Sequence, residues 1–183
     1  MLNYFFQEFS SQFSFLNVFS YITFRTGIAI FTSLIVVLLC GQKFIDYLKS
    51  SSHFNQPIRS DGPTSHIFKK AGTPTFGGIL IIFGVLISTI LWSDIKNIFV
   101  LICLFSILSF SLIGFFDDYL KIKFKNSKGI SAFTKIIFQL IFSIMIFYLI
   151  SISINNEQRF LLNIPYYKDL IFDIGYFYFP FAV

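Results

Sequence analysis

Four stretches of the chain carry no charged residue: 17 residues from Thr26 to Gln42, 23 from Ala71 to Ser93, 20 from Asn97 to Phe116 and 21 from Ile136 to Asn156. A helix that crosses a bilayer needs roughly 17–25 predominantly apolar residues, so each run is long enough, or nearly so, to span. The β-branched and Phe-rich content alone would also suit strands. Strands of a membrane barrel, however, alternate apolar and polar positions over about 10 residues, and these runs are apolar at both parities. The pattern predicts an all-α polytopic membrane protein with spans near 22–42, 74–93, 97–116 and 136–155. A further apolar run, 174–183, reaches at about 1.5 Å per residue less than half of a hydrocarbon core about 30 Å thick. It reads as the start of a fifth span, so residues 1–183 form a single membrane domain that is incomplete.

The first 24 residues hold Glu8 but no Lys or Arg, so the basic region of a cleavable signal peptide is missing. Phe5, Phe6, Phe9, Phe13, Phe15 and Phe19 alternate there with polar residues, which suits an interfacial segment over residues 1–20. No 20–50-residue repeat and no Ser/Gly linker divides the chain.

Composition agrees with the pattern. The 183 residues are 55% hydrophobic, include 28 Phe and are only 13% charged, against about 25% charged in ordinary soluble domains. This excludes a disordered tail, and four apolar runs leave too little polar surface to cover a soluble core. Cys40 and Cys103 each stand alone in an apolar run, which predicts buried thiols and neither a disulfide nor a metal pair.

The net charge of +5 would ordinarily raise nucleic acid as a partner. Here the Lys and Arg lie between uncharged stretches, so the lipid bilayer is the partner and nucleic acid is not. Ten of the fourteen basic residues fall in the connections after the first and third runs. Basic loops mark the cytoplasmic side, which makes loops 43–73 and 117–135 cytoplasmic and puts the N-terminus outside.

Those two loops also hold the chemistry. Asp117 and Asp118 close the third span, where the helix dipole disfavours anions by roughly 0.3–1 kcal/mol each. Adjacent carboxylates at a membrane boundary suit a hard divalent cation, usually Mg²⁺ held by one or two carboxylates and substrate phosphates. The alternative is a solvated, charged helix end. In the first loop Gly72, Pro74, Gly77 and Gly78 surround Thr73 and Thr75 at the entry of the second span. A hydroxyl there can cap the helix, Pro74 fits its first turn, and the glycines allow close backbone approach. With Lys69 and Lys70 before it, such a terminus is a phosphate or pyrophosphate site, unless it is an ordinary helix entry with snorkelling lysines. His53 and His66 have no ligand spacing and read as surface residues.

The stretch QPIRSDGPTSHIFKKAGTPTFGGI, Gln56 to Ile79, with IGFFDDYLK, Ile113 to Lys121, and KGIS followed by Lys135, closely resembles the bacterial phospho-N-acetylmuramoyl-pentapeptide transferase family. Related polyprenyl-phosphate hexosamine-1-phosphate transferases share the paired Asp but differ in the first loop. Phe76 stands where the family usually has Met.

The resemblance implies transfer of phospho-N-acetylmuramoyl-pentapeptide from its UDP carrier to undecaprenyl phosphate, giving lipid I and UMP with Mg²⁺, at the bacterial inner membrane. It implies Asp117 as base or nucleophile toward the lipid phosphate, and Asp118, with Asp117 as the alternative, as the metal ligand. Lys70, Thr75, Lys121, Lys125 and Lys135 match substrate-binding positions, and Lys128 matches less closely. The family has ten spans, and its second half supplies a third catalytic Asp and a His-rich loop that residues 1–183 lack. The chain therefore reads as the N-terminal half, with little or no activity alone. The competing readings are a non-catalytic remnant or assembly partner and a related hexosamine-1-phosphate transferase. The oligomeric state stays open, with a homodimer as one outcome.

Overall fold

The structure is a computed structural model that describes residues 2–9, 13–50, 75–125, 129–154, 161–163 and 171–179. Among the described residues five α-helices follow in order: α1 (Leu2–Phe9), α2 (Ile22–Ser50), α3 (Gly77–Trp92), α4 (Ile98–Lys123) and α5 (Ala132–Ser153). A 3₁₀ helix at Ser14–Ser20 precedes α2. The chain is thus a mostly helical membrane protein. Among the described residues three helices, α2, α4 and α5, are long and apolar enough to cross a membrane. The fourth, α3, is apolar but has 16 residues and rises about 24 Å, short of the roughly 30 Å of a hydrocarbon core.

The four long helices run up and down. Trp92 at the end of α3 donates its indole N–H to Thr32 Oγ1, near the start of α2, at 3.0 Å. At the other end of the pair, a Cβ on Gly41 would touch Leu80 at 3.6 Å. Between these points the backbones come close at Gly84, where a Cβ would stand 2.9 Å from Val37 Cγ2 and 3.1 Å from the Ser33 carbonyl oxygen. Small residues at crossings permit this approach between apolar helices, where dispersion contacts replace the hydrophobic drive. Helices α3 and α4 are antiparallel too, and the Phe76 and Phe115 rings lie 5.2 Å apart at their common end.

The helix boundaries depart from the uncharged runs. α2 continues eight residues beyond Gln42, and α4 continues seven beyond Phe116. Charged residues end an apolar run, but they do not end a helix. Gln42 Nε2 donates to Asp46 Oδ1 at 3.0 Å, and Asp117 pairs with Lys121, both at the i,i+4 spacing that supports a helical face. The expected loop 117–135 therefore shrinks to the connection between Lys123 and Ala132. Asp117 and Asp118 lie inside α4, not at its last turn.

The entry of α3 differs as well. Its N-cap position is Phe76, in the left-handed region at φ 71° and with no side-chain cap, so the Thr75 hydroxyl does not cap the helix. Phe76 is buried against Phe115, and ring packing holds a conformation that a non-glycine residue adopts at a cost. Lys69, Lys70, Gly72, Thr73, Pro74, His53 and His66 lie outside the described residues.

The run from 174 opens with a 3₁₀ turn, residues 178–179 are helical, and 180–183 lie outside the described residues. Leu161–Asn163 and Ile171–Asp173 pair as antiparallel strands, β1 and β2, and a 3₁₀ turn follows at Gly175–Phe177. Asp173 Oδ1 accepts the Gly175 N–H at 2.9 Å, and Gly175 takes φ 56°, a turn that leads into the apolar run. Cys40 and Cys103 are free, as expected, but exposed and not buried. They sit on outward faces of α2 and α4, beside apolar side chains such as Leu38 and Leu39 that are themselves uncovered.

Near the start of α2, the N-terminal segment packs through aromatic rings. Phe6 stacks on Phe19 at 4.2 Å, and Phe19 stacks on Trp92 at 5.8 Å with an interplanar angle of 8°. The cluster therefore lies at the end of α3 opposite to Phe76.

Candidate functional site

At the Phe76 end of the bundle, three donors converge on one carboxylate. The Lys121 ammonium lies 2.6 Å from Asp117 Oδ2 and 3.2 Å from Asp118 Oδ1. Lys135, one turn into α5, reaches Asp117 Oδ1 at 2.9 Å. The Ile130 N–H donates to the same Oδ1 at 2.8 Å. The Asp117 side chain is 8% exposed and Asp118 33%, which separates the two by environment: one is enclosed by cations, the other is open.

Local sequence explains the convergence. Asp117 and Lys121 are one helical turn apart on α4, so they share a face. Ser131 caps α5 by accepting the Thr134 N–H at 3.2 Å. That cap starts the helix early enough to place Lys135 within its first turn, directed back at α4. A carboxylate removed from water costs several kcal/mol unless cations and hydrogen bonds compensate it; here two ammonium groups and one amide do so.

The acidic pair closes one end of an apolar groove of about 580 Å³ between α3 and α4, lined by Phe76, Ile79, Leu86, Leu112 and Phe115 among others. A charged mouth above an apolar trough matches a ligand with a phosphate head and a hydrocarbon tail.

The structure thus brings together Asp117, Asp118, Lys121 and Lys135. Lys125 is exposed beyond the end of α4 and makes no ion pair with the acidic pair among the described residues. Thr75 is half-buried and directly precedes Phe76, with no hydrogen bond to either Asp among the described residues. Lys70 and Lys128 lie outside the described residues.

Sequence reasoning gave no role to the Ile130 amide or to Gly129 before it. The usable signal was a single glycine just ahead of a Ser cap, in a short connection between two helices.

A divalent cation would meet an incomplete set of ligands. Among the described residues no three His, Cys, Asp or Glu side chains cluster. Among the described residues Asp117 is engaged through both oxygens, whereas Asp118 is engaged through Oδ1 alone. Asp118 fits a cation that completes its shell from water and phosphate oxygens, the usual habit of Mg²⁺.

No protein-family model matches the chain. Over 172 residues, 94% of its length, it is 47% identical to the phospho-N-acetylmuramoyl-pentapeptide-transferase of Pelagibacter ubique, of which it covers 47%. Over 167 residues, 91% of its length, it is 45% identical to the proteins of the same name from Rickettsia prowazekii and Rickettsia felis, covering 46% of each. The chain spans about half the length of the curated relatives it matches. On this likeness, which takes in both the acidic pair and the lysines around it, the chain belongs to the phospho-N-acetylmuramoyl-pentapeptide transferase family.

Proposed function

We propose that the chain takes part in transfer of phospho-N-acetylmuramoyl-pentapeptide from UDP to undecaprenyl phosphate, forming lipid I and UMP. The observation that carries this reading is the pairing of a cation-rich acidic pair with an apolar groove at one end of the bundle. The groove would take the first isoprene units of the lipid, with its phosphate at the mouth. An oxygen of the lipid phosphate attacks the sugar-bearing phosphorus of the UDP substrate; that P–O bond forms, the bond to UMP breaks, and UMP leaves.

Charge neutralisation and placement are the main demands of such a step. Lys121 and Lys135 would bind phosphate oxygens, with Asp117 fixing the direction of both ammonium groups. Asp118 is our choice for the Mg²⁺ ligand. When bound there, Mg²⁺ would draw negative charge from the phosphates. The N–H to Asp117 and the two ion pairs are made by the protein itself, so the site needs little rearrangement when substrate arrives.

The same reading places the protein in the bacterial inner membrane with α3 as a fourth crossing, since it packs along α2 between Thr32 and Gly41 and meets α4 at Phe115. It puts the acidic pair on the cytoplasmic side, where Lys43, Lys49, Lys121, Lys123 and Lys125 lie, and the N-terminal aromatic segment at the outer interface.

Lipid I formation by the full-length gene product, from both substrates and Mg²⁺, is the direct test. Loss of product in Asp117→Asn is expected, and full activity in that variant would overturn the assignment.

A further inference from the structure

The connection from α4 to α5 closes on Asp117 at a point where a side chain would obstruct it. Gly129 takes φ 57°, and a Cβ placed there would overlap Asp117 Oδ1 and stand 2.9 Å from Lys121 Cε. The next residue, Ile130, donates its N–H to that same oxygen, and the residue after it, Ser131, caps the helix that carries Lys135. An L-residue at 129 would meet two obstacles: the left-handed backbone, and space already held by the carboxylate and the lysine stem.

Lys125 shows that the backbone angle alone is not the signature. It too is left-handed, at φ 50°, yet it is exposed and carries a full side chain. Among the described residues, only at Gly129 does the left-handed turn press against the acidic pair.

We propose that Gly129 is a positioning residue for the phosphoryl transfer: its bare backbone seats the Ile130 N–H on Asp117 and sets the direction in which Lys121 and Lys135 present their ammonium groups. The proposal rests on the transferase reading above. Gly129 touches no substrate and acts through Asp117.

Two measurements on the full-length gene product in membranes test it. Gly129→Ala is expected to lower kcat by about 100-fold with far less change in KM, the loss typical of reacting groups displaced by about 1 Å. In the same variant the Ile130 amide is expected to exchange with solvent about tenfold faster, while amides within α4 and α5 keep their protection. Should Gly129→Ala fail to fold, Ile130→Pro removes the donor without adding a Cβ at 129, and the same fall in kcat is expected. In an Asp117→Ala background, where the overlap is gone, Gly129→Ala should leave Ile130 exchange nearly unchanged.

Unchanged kcat in Gly129→Ala overturns the proposal, with or without faster Ile130 exchange. A protected Ile130 amide in Gly129→Ala overturns it as well. A wild-type protein that makes no product overturns the transferase reading and this role with it, whereas loss confined to the variants overturns neither.

Discussion

Lys135 and Asp117 stand on different helices, α5 and α4, and meet at 2.9 Å. Because Asp117 also holds Lys121 from its own helix, the acidic site doubles as the tie between the two helices at this end of the bundle. A single carboxylate therefore ties α4 to α5, and under the proposed function it would also serve the chemistry, two roles that substitution can separate.

Lys135→Ala should cost about 1 kcal/mol in stability, since Lys135 is itself part-exposed and Lys121 and the Ile130 N–H still compensate the enclosed Asp117. Catalysis should fall far more, by about 100-fold, if the ammonium neutralises a phosphate. Thermal unfolding in detergent and lipid I formation by the full-length gene product separate the two effects. Equal, small losses in both would show that Lys135 serves packing alone.

Asp117→Asn and Asp118→Asn should behave differently under Mg²⁺ titration. Asp118→Asn is expected to raise the Mg²⁺ concentration for half-maximal rate by about tenfold or more, as lost ligands weaken metal affinity. Asp117→Asn should lower the maximal rate with little change in the Mg²⁺ requirement. A reversed pattern would exchange the two assignments.

Gly84→Ala should destabilise the α2–α3 pair by about 1–3 kcal/mol, because the new methyl meets Val37 Cγ2 and the Ser33 carbonyl oxygen in a close-packed crossing. Adding Val37→Ala removes one of the two obstacles and should restore part of the loss. A double variant no more stable than Gly84→Ala, in thermal melts of the purified protein, would place the strain on the backbone contact with Ser33.

Trp92 is the only tryptophan in the chain, and it is stacked by Phe19 and Phe6. Its fluorescence should therefore report docking of the N-terminal segment. Deleting residues 2–20 is expected to shift emission to the red and raise quenching by a water-soluble quencher. Trp92→Phe, which leaves Thr32 without its donor, should cost about 0.5–1.5 kcal/mol.

The helical character of the chain was legible in runs such as Asn97–Phe116, because a helix satisfies its own backbone and the only external demand is apolar length. The paired Asp was legible for a related reason: charge is rare inside apolar spans and stands out where such a run ends. Boundaries were not legible. α4 runs on to Lys123 because Asp117 and Lys121 support each other one turn apart, while α3 starts at Gly77 because the Phe76 ring packs on Phe115; neither cause can be seen in a hydropathy pattern. The strands at Leu161–Asn163 and Ile171–Asp173 are three residues each, too short to show a period.

Residue types and their order along the chain were enough to establish a helical membrane protein with an acidic pair beside lysines, since both follow from local composition. Only the tertiary structure decided that Asp117 and not Asp118 is the enclosed carboxylate, that Lys135 and not Lys125 completes the cluster, and that Gly129 must lack a side chain. Those distinctions depend on how α5 returns against α4, and burial and contact between distant segments have no counterpart in the spacing of residues along a chain.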